Sequence, residues 1–267
     1  RIPEYIELAA RYATSGVPGP AFLEIPMDVL MGQSEFEKVW FPNFRSAPRQ
    51  APDRADVVAA LQILAGAKRP IMMGGTGVKW SQGGAAMRRF VEETKLPTFL
   101  NGMGRGQLRF DDPQFMNRSR KDAMGRCDVF VLAGSPLDFR LRFGKAIPAD
   151  AKIVQLDMEN TLIGQNRSAD AAIVGNLGVA FEQMLQIMKE ESLRLDFTAW
   201  RDELRAIEVK IEAGFQKELS SDEVPIDPLR MCREIRDFID EDTILIGDGG
   251  DIVAQAAKVV PVMKENC

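Results

Sequence analysis

Apolar positions recur along this chain with two alternating periods. Ile6, Leu8, Ala9, Tyr12 and Ala13 share one face of a helix predicted over residues 4–14. A Gly-Val-Pro-Gly-Pro turn follows from Gly16, and residues 21–25 read as a short buried strand ending at Pro26. Residues 33–52 are polar and without period. Pro42, Pro48 and Pro52 discourage regular structure there, so the stretch reads as an interdomain linker. Asp53 is a predicted N-cap, after which Val57, Leu61 and Leu64 recur at helical spacing. Pro70 introduces a strand over 71–73, closed by Gly74 and Gly75. A helix over 85–94 presents Met87, Phe90 and Val91, and Pro97 opens a strand over 98–100. Apolar runs at 129–132, 153–156 and 172–174 each close within two residues on Gly or Asp. About five parallel strands with helical crossovers predict a doubly wound α/β domain over residues 53–190, with its sites at the strand C-termini.

The remaining pattern predicts a charged amphipathic helix over 197–219, a turn around Pro225, a helix over 227–239 and a strand over 243–246. That strand runs into Gly247-Asp248-Gly249-Gly250-Asp251. Residues 262–267 continue no pattern and read as a frayed or artefactual end. The chain opens on Arg1 without an initiator Met or a signal peptide, and reads as cut from something longer.

Composition narrows the function classes. A net charge of -5 with no basic stripe argues against nucleic-acid binding. No apolar run approaches the length of about 20 residues that a membrane helix needs. Cys127, Cys232 and Cys267 are far apart and form no C-x-x-C pair, so a reducing, cytoplasmic setting fits best. There is no histidine, which excludes a Ser-His-Asp or Cys-His arrangement within the chain and leaves chemistry to carboxylates, backbone or a bound cofactor. Met72, Met124 and Met188 read as core filling.

Candidate binding residues sit at the strand exits. Met73-Gly74-Gly75-Thr76-Gly77 allows close backbone approach to a phosphate or ribose, or is an ordinary glycine turn. Asn101-Gly102-Met103-Gly104-Arg105-Gly106 follows the next strand, and its Arg105 reads as a ligand contact or a solvated loop charge. In the segment from Ser135 to Arg142, read as extended, Arg140 and Arg142 fall on one side, where they suit a diphosphate or are surface charge. Asp157 is placed to accept ribose hydroxyls or to cap a helix. Together these four positions point to an adenine nucleotide. Gly247 to Asp251 is a second glycine-rich exit, suited to a phosphate or to a plain strand-to-helix turn.

The order of these segments resembles that of thiamine-diphosphate-dependent enzymes. Gly19-Pro20-Ala21-Phe22-Leu23-Glu24-Ile25-Pro26-Met27-Asp28-Val29 is similar to the G-P-V-x-x-x-I-P-x-D-V close of that family's pyrimidine-binding domain. The stretch from Arg69 to Gly75, the Arg140 region and Gln155-Leu156-Asp157 then follow as in its central domain, and Gly247 to Val253 looks like the first strand exit of its diphosphate-binding domain. The likeness is strongest to acetolactate synthase, with 2-hydroxyacyl-CoA lyase and oxalyl-CoA decarboxylase close behind. It implies a Rossmann-like central domain at 53–190, flanked by partial α/β domains at 1–32 and 191–267 and a linker at 33–52. It further implies FAD or ADP in the central domain, held by Gly74, Gly75, Thr76, Asn101, Gly102, Met103, Asp138, Arg140, Arg142, Asp157 and Met158. Thiamine diphosphate with Mg2+ would lie against Gly250, Asp251 and Ile252. The family's catalytic glutamate would precede Arg1 and its metal motif would follow Cys267, so the chain alone is expected to be inactive. The whole protein would make or break a carbon-carbon bond beside a carbonyl, on a 2-keto acid or acyl-CoA substrate, as a homodimer or homotetramer. A stand-alone nucleotide-binding or sirtuin-like module is the alternative from another class.

Overall fold

The computed structural model describes residues 1–43 and 48–265, in two units, residues 1–50 and 51–267, taken separately below. Residues 44–47 of the expected linker lie outside the described residues, as do 266–267 of the expected frayed end, including Cys267.

In the first unit, α1 (Ile2–Thr14) starts with Pro3 in its first turn, where a missing N–H costs nothing, and α2 (Met27–Leu30) follows Pro26. Neither helix buries a residue, and Tyr12, Phe22 and Met27 are exposed. The strand expected over 21–25 is not formed. A strand needs a laterally paired neighbour, and none of this unit's described residues supplies one.

The second unit begins with α3 (Arg54–Ala65). The Asp53 carboxylate accepts the Ala55 N–H at 2.7 Å, so the expected N-cap is in place. The strands follow as β1 (Pro70–Gly74), β2 (Thr98–Leu100), β3 (Val129–Ala133), β4 (Lys152–Asp157) and β5 (Ala171–Val174). All pair in parallel, in the order β2-β1-β3-β4-β5. Between them run α4 (Thr76–Trp80), α5 (Gly84–Thr94) and α6 (Arg120–Arg126), and α7 (Leu177–Glu190) closes the sheet domain.

The period of two along each strand divides the core into two layers. Met72, Val131, Val154 and Leu156 point to the face covered by α3, α5 and α7, where they meet Leu61, Leu64, Phe90, Phe181 and Met184. Ile71, Met73, Phe130, Leu132 and Ile153 point to the other face, beneath Met124 of α6 and Trp200 and Leu204 of α8 (Thr198–Gly214). A parallel sheet covered on both faces is why its strands read as short continuous apolar runs rather than as alternation. Met72, Met124 and Met188 are buried core residues, as their sequence context suggests.

The helix expected over 197–219 is interrupted at Phe215, giving α8 and the short α9 (Gln216–Leu219). With α10 (Pro228–Phe238) and α11 (Gly250–Val259) they enclose a small third cluster of Leu219, Leu229, Cys232, Val259 and Val260. The strand expected over 243–246 is irregular. Leu245 packs on that cluster while Ile244 and Ile246 stay exposed, because no described strand lies beside them to complete a ladder. Among the described residues no helix is long and apolar enough to cross a membrane.

Candidate functional site

The strand order places the exits of β1 and β3 side by side, and the chain leaves them in opposite directions across the sheet. That reversal is where open α/β sheets form a crevice. Glycine is required there. Gly75 N–H donates to the Ala133 carbonyl at 2.9 Å and Gly77 N–H to the Gly134 carbonyl at 2.9 Å. A Cβ added at Gly75 would stand 2.4 Å from the Gly134 oxygen, and Gly134 itself has φ +60. Any larger residue would push the two exits apart.

The β2 exit folds over the same place. Asn101 N–H donates to the Gly74 carbonyl at 2.9 Å, and its side-chain amide donates to Ser135 Oγ at 2.8 Å. A single 3-10 turn (Gly102–Gly104) then brings the Met103 N–H to Thr76 Oγ1 at 3.3 Å. Gly102 has φ +49 and lies between the Thr76 hydroxyl and the Arg140 guanidinium. Thus Gly74, Gly75, Thr76, Asn101, Gly102, Met103 and Arg140, scattered in sequence, converge on one edge.

The segment after β3 corrects one expectation. It is not extended: a 3-10 turn runs from Phe139 to Gly144, with Arg142 at φ 53 and Phe143 at φ 52. The two arginines therefore do not share one side of a strand. Arg140 is held by Asp138 through three contacts, Nε to Oδ1 at 3.2 Å and to Oδ2 at 2.9 Å, and Nη2 to Oδ2 at 2.7 Å. Arg142 is exposed. Partial burial pushes the Asp138 carboxyl up, but the Arg140 hydrogen bonds and charge together hold it below its ordinary 3.8. The same hydrogen bonding raises Arg140.

Asp157 ends β4, one strand further along, and is buried. Burial pushes its carboxyl above 3.8, opposed by the N–H groups of Glu159 and Met158; Oδ1 accepts from Glu159 at 3.1 Å. Asp157 thus caps a local turn with its carboxylate. Met158 is half-buried against the α3/α5/α7 layer.

Gly250, Asp251 and Ile252 are elsewhere, in the first turn of α11. Gly249 and Gly250 have φ +50 and +74, and nothing lies within 4 Å of a Cβ built on either. This open glycine turn before a ten-residue helix leaves its first N–H groups free for an anion, so it fits a diphosphate. Among the described residues no cluster of three or more His, Cys, Asp or Glu side chains can hold a metal ion.

Sequence reasoning assigned no part to Gly134 and Ser135, whose hydroxyl fastens the β2 exit to the β3 exit. The signal was present as Ala133-Gly134-Ser135 directly after an apolar run. It also passed over Glu208, a buried carboxylate on α8 that secures the loop leading into α6. Nothing local marks that residue, because its partners lie 89 and 91 positions away.

Comparison with known proteins agrees with this fold. Residues 57–184 match the family model described as thiamine pyrophosphate enzyme, central domain. Over 264 residues the chain is 29% identical to a probable acetolactate synthase of Mycobacterium bovis, covering 98% of this chain and 47% of that protein. It is 28% identical to the oxalyl-CoA decarboxylase of Escherichia coli K12 over 262 residues, covering 96% and 46%. The crystal structure of benzoylformate decarboxylase from Polynucleobacter necessarius superposes with a TM-score of 0.74 at 16% identity, over 99% of this chain and 48% of that one, and so shares its fold. The chain spans about half the length of the curated relatives it matches.

Proposed function

We propose, from the match of residues 57–184 to the central-domain model of thiamine pyrophosphate enzymes, that the chain is part of an acetolactate-synthase-type enzyme. The whole protein would join or cleave a carbon-carbon bond beside a carbonyl, as in 2-keto acid decarboxylation and carboligation. In this reading residues 1–32 end the pyrimidine-binding domain, 33–52 are the linker, 53–190 are the central domain, and 191–267 lead into the diphosphate-binding domain.

Thiamine diphosphate with Mg2+, when bound, would supply the electron sink that bond-making or bond-breaking beside a carbonyl needs. The part this chain plays is positional. Gly250, Asp251 and Ile252 offer free N–H groups at the start of α11 to the diphosphate. The crevice across β1, β2 and β3 would hold FAD or ADP. Gly102 and Thr76 admit the ligand closely, Arg140 presents the guanidinium edge left free by Asp138, and Asp157 offers a carboxylate toward a ribose. The expected loss of activity in the isolated chain belongs to the same reading, as do a homodimeric or homotetrameric assembly and a cytoplasmic location.

The observation that carries the nucleotide assignment is the meeting of Gly102, Thr76 and Arg140 at the β1/β3 reversal. Isothermal titration of the chain with FAD, ADP and CoA tests it. FAD binding that is lost in Arg140→Ala supports the acetolactate-synthase type. Preference for ADP or CoA moves the assignment to the acyl-CoA lyases and decarboxylases, and binding of none of the three refutes a nucleotide in this crevice.

A further inference from the structure

The turn after β3 leaves two phenylalanines in solvent on a strained backbone. Its aliphatic residues Leu137 and Leu141 are buried, whereas Phe139 is 71% exposed and Phe143 47%. Burial would favour the larger rings at least as much as the leucines. The backbone around them is strained instead. Arg142 and Phe143 both lie in the left-handed region, at φ 53, ψ 36 and φ 52, ψ 32, and Gly144 follows at φ +77. Left-handed residues other than glycine normally occur singly, and two in succession persist only where neighbouring contacts hold them. The Asp138 carbonyl supplies two of these contacts, accepting from the Leu141 N–H at 3.0 Å and the Phe143 N–H at 2.8 Å. Its carboxylate accepts the Arg140 N–H at 2.9 Å. Gly144 closes the turn on Leu137, whose Cδ2 would stand 2.8 Å from an added Cβ.

The exposed Phe139 ring stands at the crevice edge. Its centre is 6.0 Å from the Arg140 guanidinium carbon. Arg140 Nη1 in turn lies 3.9 Å from a Cβ built on Gly102, and Thr76 Oγ1 lies 2.7 Å from the same point. Met103, the next residue, is 42% exposed, and its N–H is 3.3 Å from that Thr76 hydroxyl. Arg140 therefore has exposed apolar side chains as neighbours on two separate segments, one from the β3 exit and one from the β2 exit.

A bare phosphate would use the guanidinium alone. A ligand that carries both a phosphate and a flat aromatic ring uses the guanidinium and the exposed ring together, because a phenyl face stacks on any aromatic ring system regardless of its hydrogen-bonding groups. We propose that Phe139 is the ring-stacking residue of this crevice, held beside Arg140 by the strained turn, with Met103 as further apolar surface. This assignment rests on the nucleotide reading given above and adds to it the group that recognises the ring. Adenine and the flavin ring share the required chemistry.

The test titrates the chain calorimetrically with ADP, FMN and pyrophosphate. Phe139→Leu keeps an apolar side chain but removes the ring, and Phe139→Trp keeps a ring. Phe238→Leu is the control, removing a ring that is 91% exposed on α10. Affinity for the ring-bearing ligand is expected to fall about fivefold or more in Phe139→Leu, the loss of one stacked ring. Pyrophosphate should be unaffected, and Phe139→Trp and Phe238→Leu should bind as the parent does. A loss for ADP alone identifies adenine, a loss for FMN alone identifies the flavin ring, and a loss for both identifies a surface that accepts either. Unchanged ADP and FMN affinity in Phe139→Leu overturns the proposal and leaves the nucleotide reading standing. So does an equal loss for pyrophosphate, since Phe139 would then act only by orienting Arg140. A parent that binds neither ADP nor FMN overturns the nucleotide reading itself, and the stacking role with it.

Discussion

Glu208 is the residue whose removal should reach furthest from its own position. It sits on α8 at 2% exposure, and its Oε1 accepts three hydrogen bonds from the loop before α6: Asn117 N–H at 2.9 Å, Ser119 N–H at 2.6 Å and Ser119 Oγ at 2.7 Å. Arg118 lies 3.7 Å from Oε2, and its side chain is only 9% exposed. Asn117 also reaches α11, donating its side-chain amide to the Ala257 carbonyl at 2.6 Å. Glu208→Ala strands two N–H groups and a hydroxyl and removes the buried partner of Arg118, which costs about 3–5 kcal/mol. Glu208→Gln keeps an acceptor of the same shape but loses its charge, costing about 1–2 kcal/mol. Ser119→Ala removes one of the three bonds, about 1 kcal/mol, and should cost almost nothing on top of Glu208→Ala because the partner is already gone. Urea unfolding followed by circular dichroism measures the three differences, and hydrogen exchange in residues 115–119 measures the local opening. An alanine variant within about 1 kcal/mol of the parent, with unchanged exchange, would refute the account of Glu208 as the anchor of this loop.

Three further outcomes follow from the site geometry. Gly75→Ala should cost about 3 kcal/mol in urea unfolding, since its methyl would meet the Gly134 oxygen at 2.4 Å and Ser135 Cβ at 2.7 Å; a variant as stable as the parent would contradict the close approach of β1 and β3. Asp157 is raised above 3.8 by burial, so the native state binds more protons than the unfolded one and stability falls as pH rises through that window. Asp157→Asn should therefore be the more stable protein at pH 7 and lose its advantage below about pH 3.8, and melting curves across this range would disprove the assignment if the parent gained on the variant with rising pH. Burial pushes the Cys127 thiol up to about 12 and raises Cys232 as well. Peptide mapping after iodoacetamide treatment at pH 8 should find both unmodified until urea unfolds the chain, and rapid labelling of Cys127 in the native state would show that its surroundings are open.

Much of the central domain was determined by the sequence itself. Glycine or aspartate after a short apolar run, with proline opening the first two, located all five strands to within about two residues, and Asp53 marked the start of α3. These signals are local: a capping carboxylate, a missing N–H and an unbroken apolar run act within a few residues of where they are written. The positions of the strand exits were legible for the same reason, as was the order of segments that pointed to thiamine enzymes. Tertiary structure decided the rest. Residues 21–25 and 243–246 carry strand-like patterns, yet a strand exists only where another chain segment completes its hydrogen bonds, and the described residues provide none. The order β2-β1-β3-β4-β5 is likewise not written in any one segment. It alone sets Gly75 against Gly134, hangs Asn101 on Ser135, and brings Gly102 to Arg140, while the turn after β3 separates Arg142 from the pair it formed in sequence. Glu208 serves a loop about ninety residues away, because long-range packing rather than local periodicity chooses the partners of a buried charge.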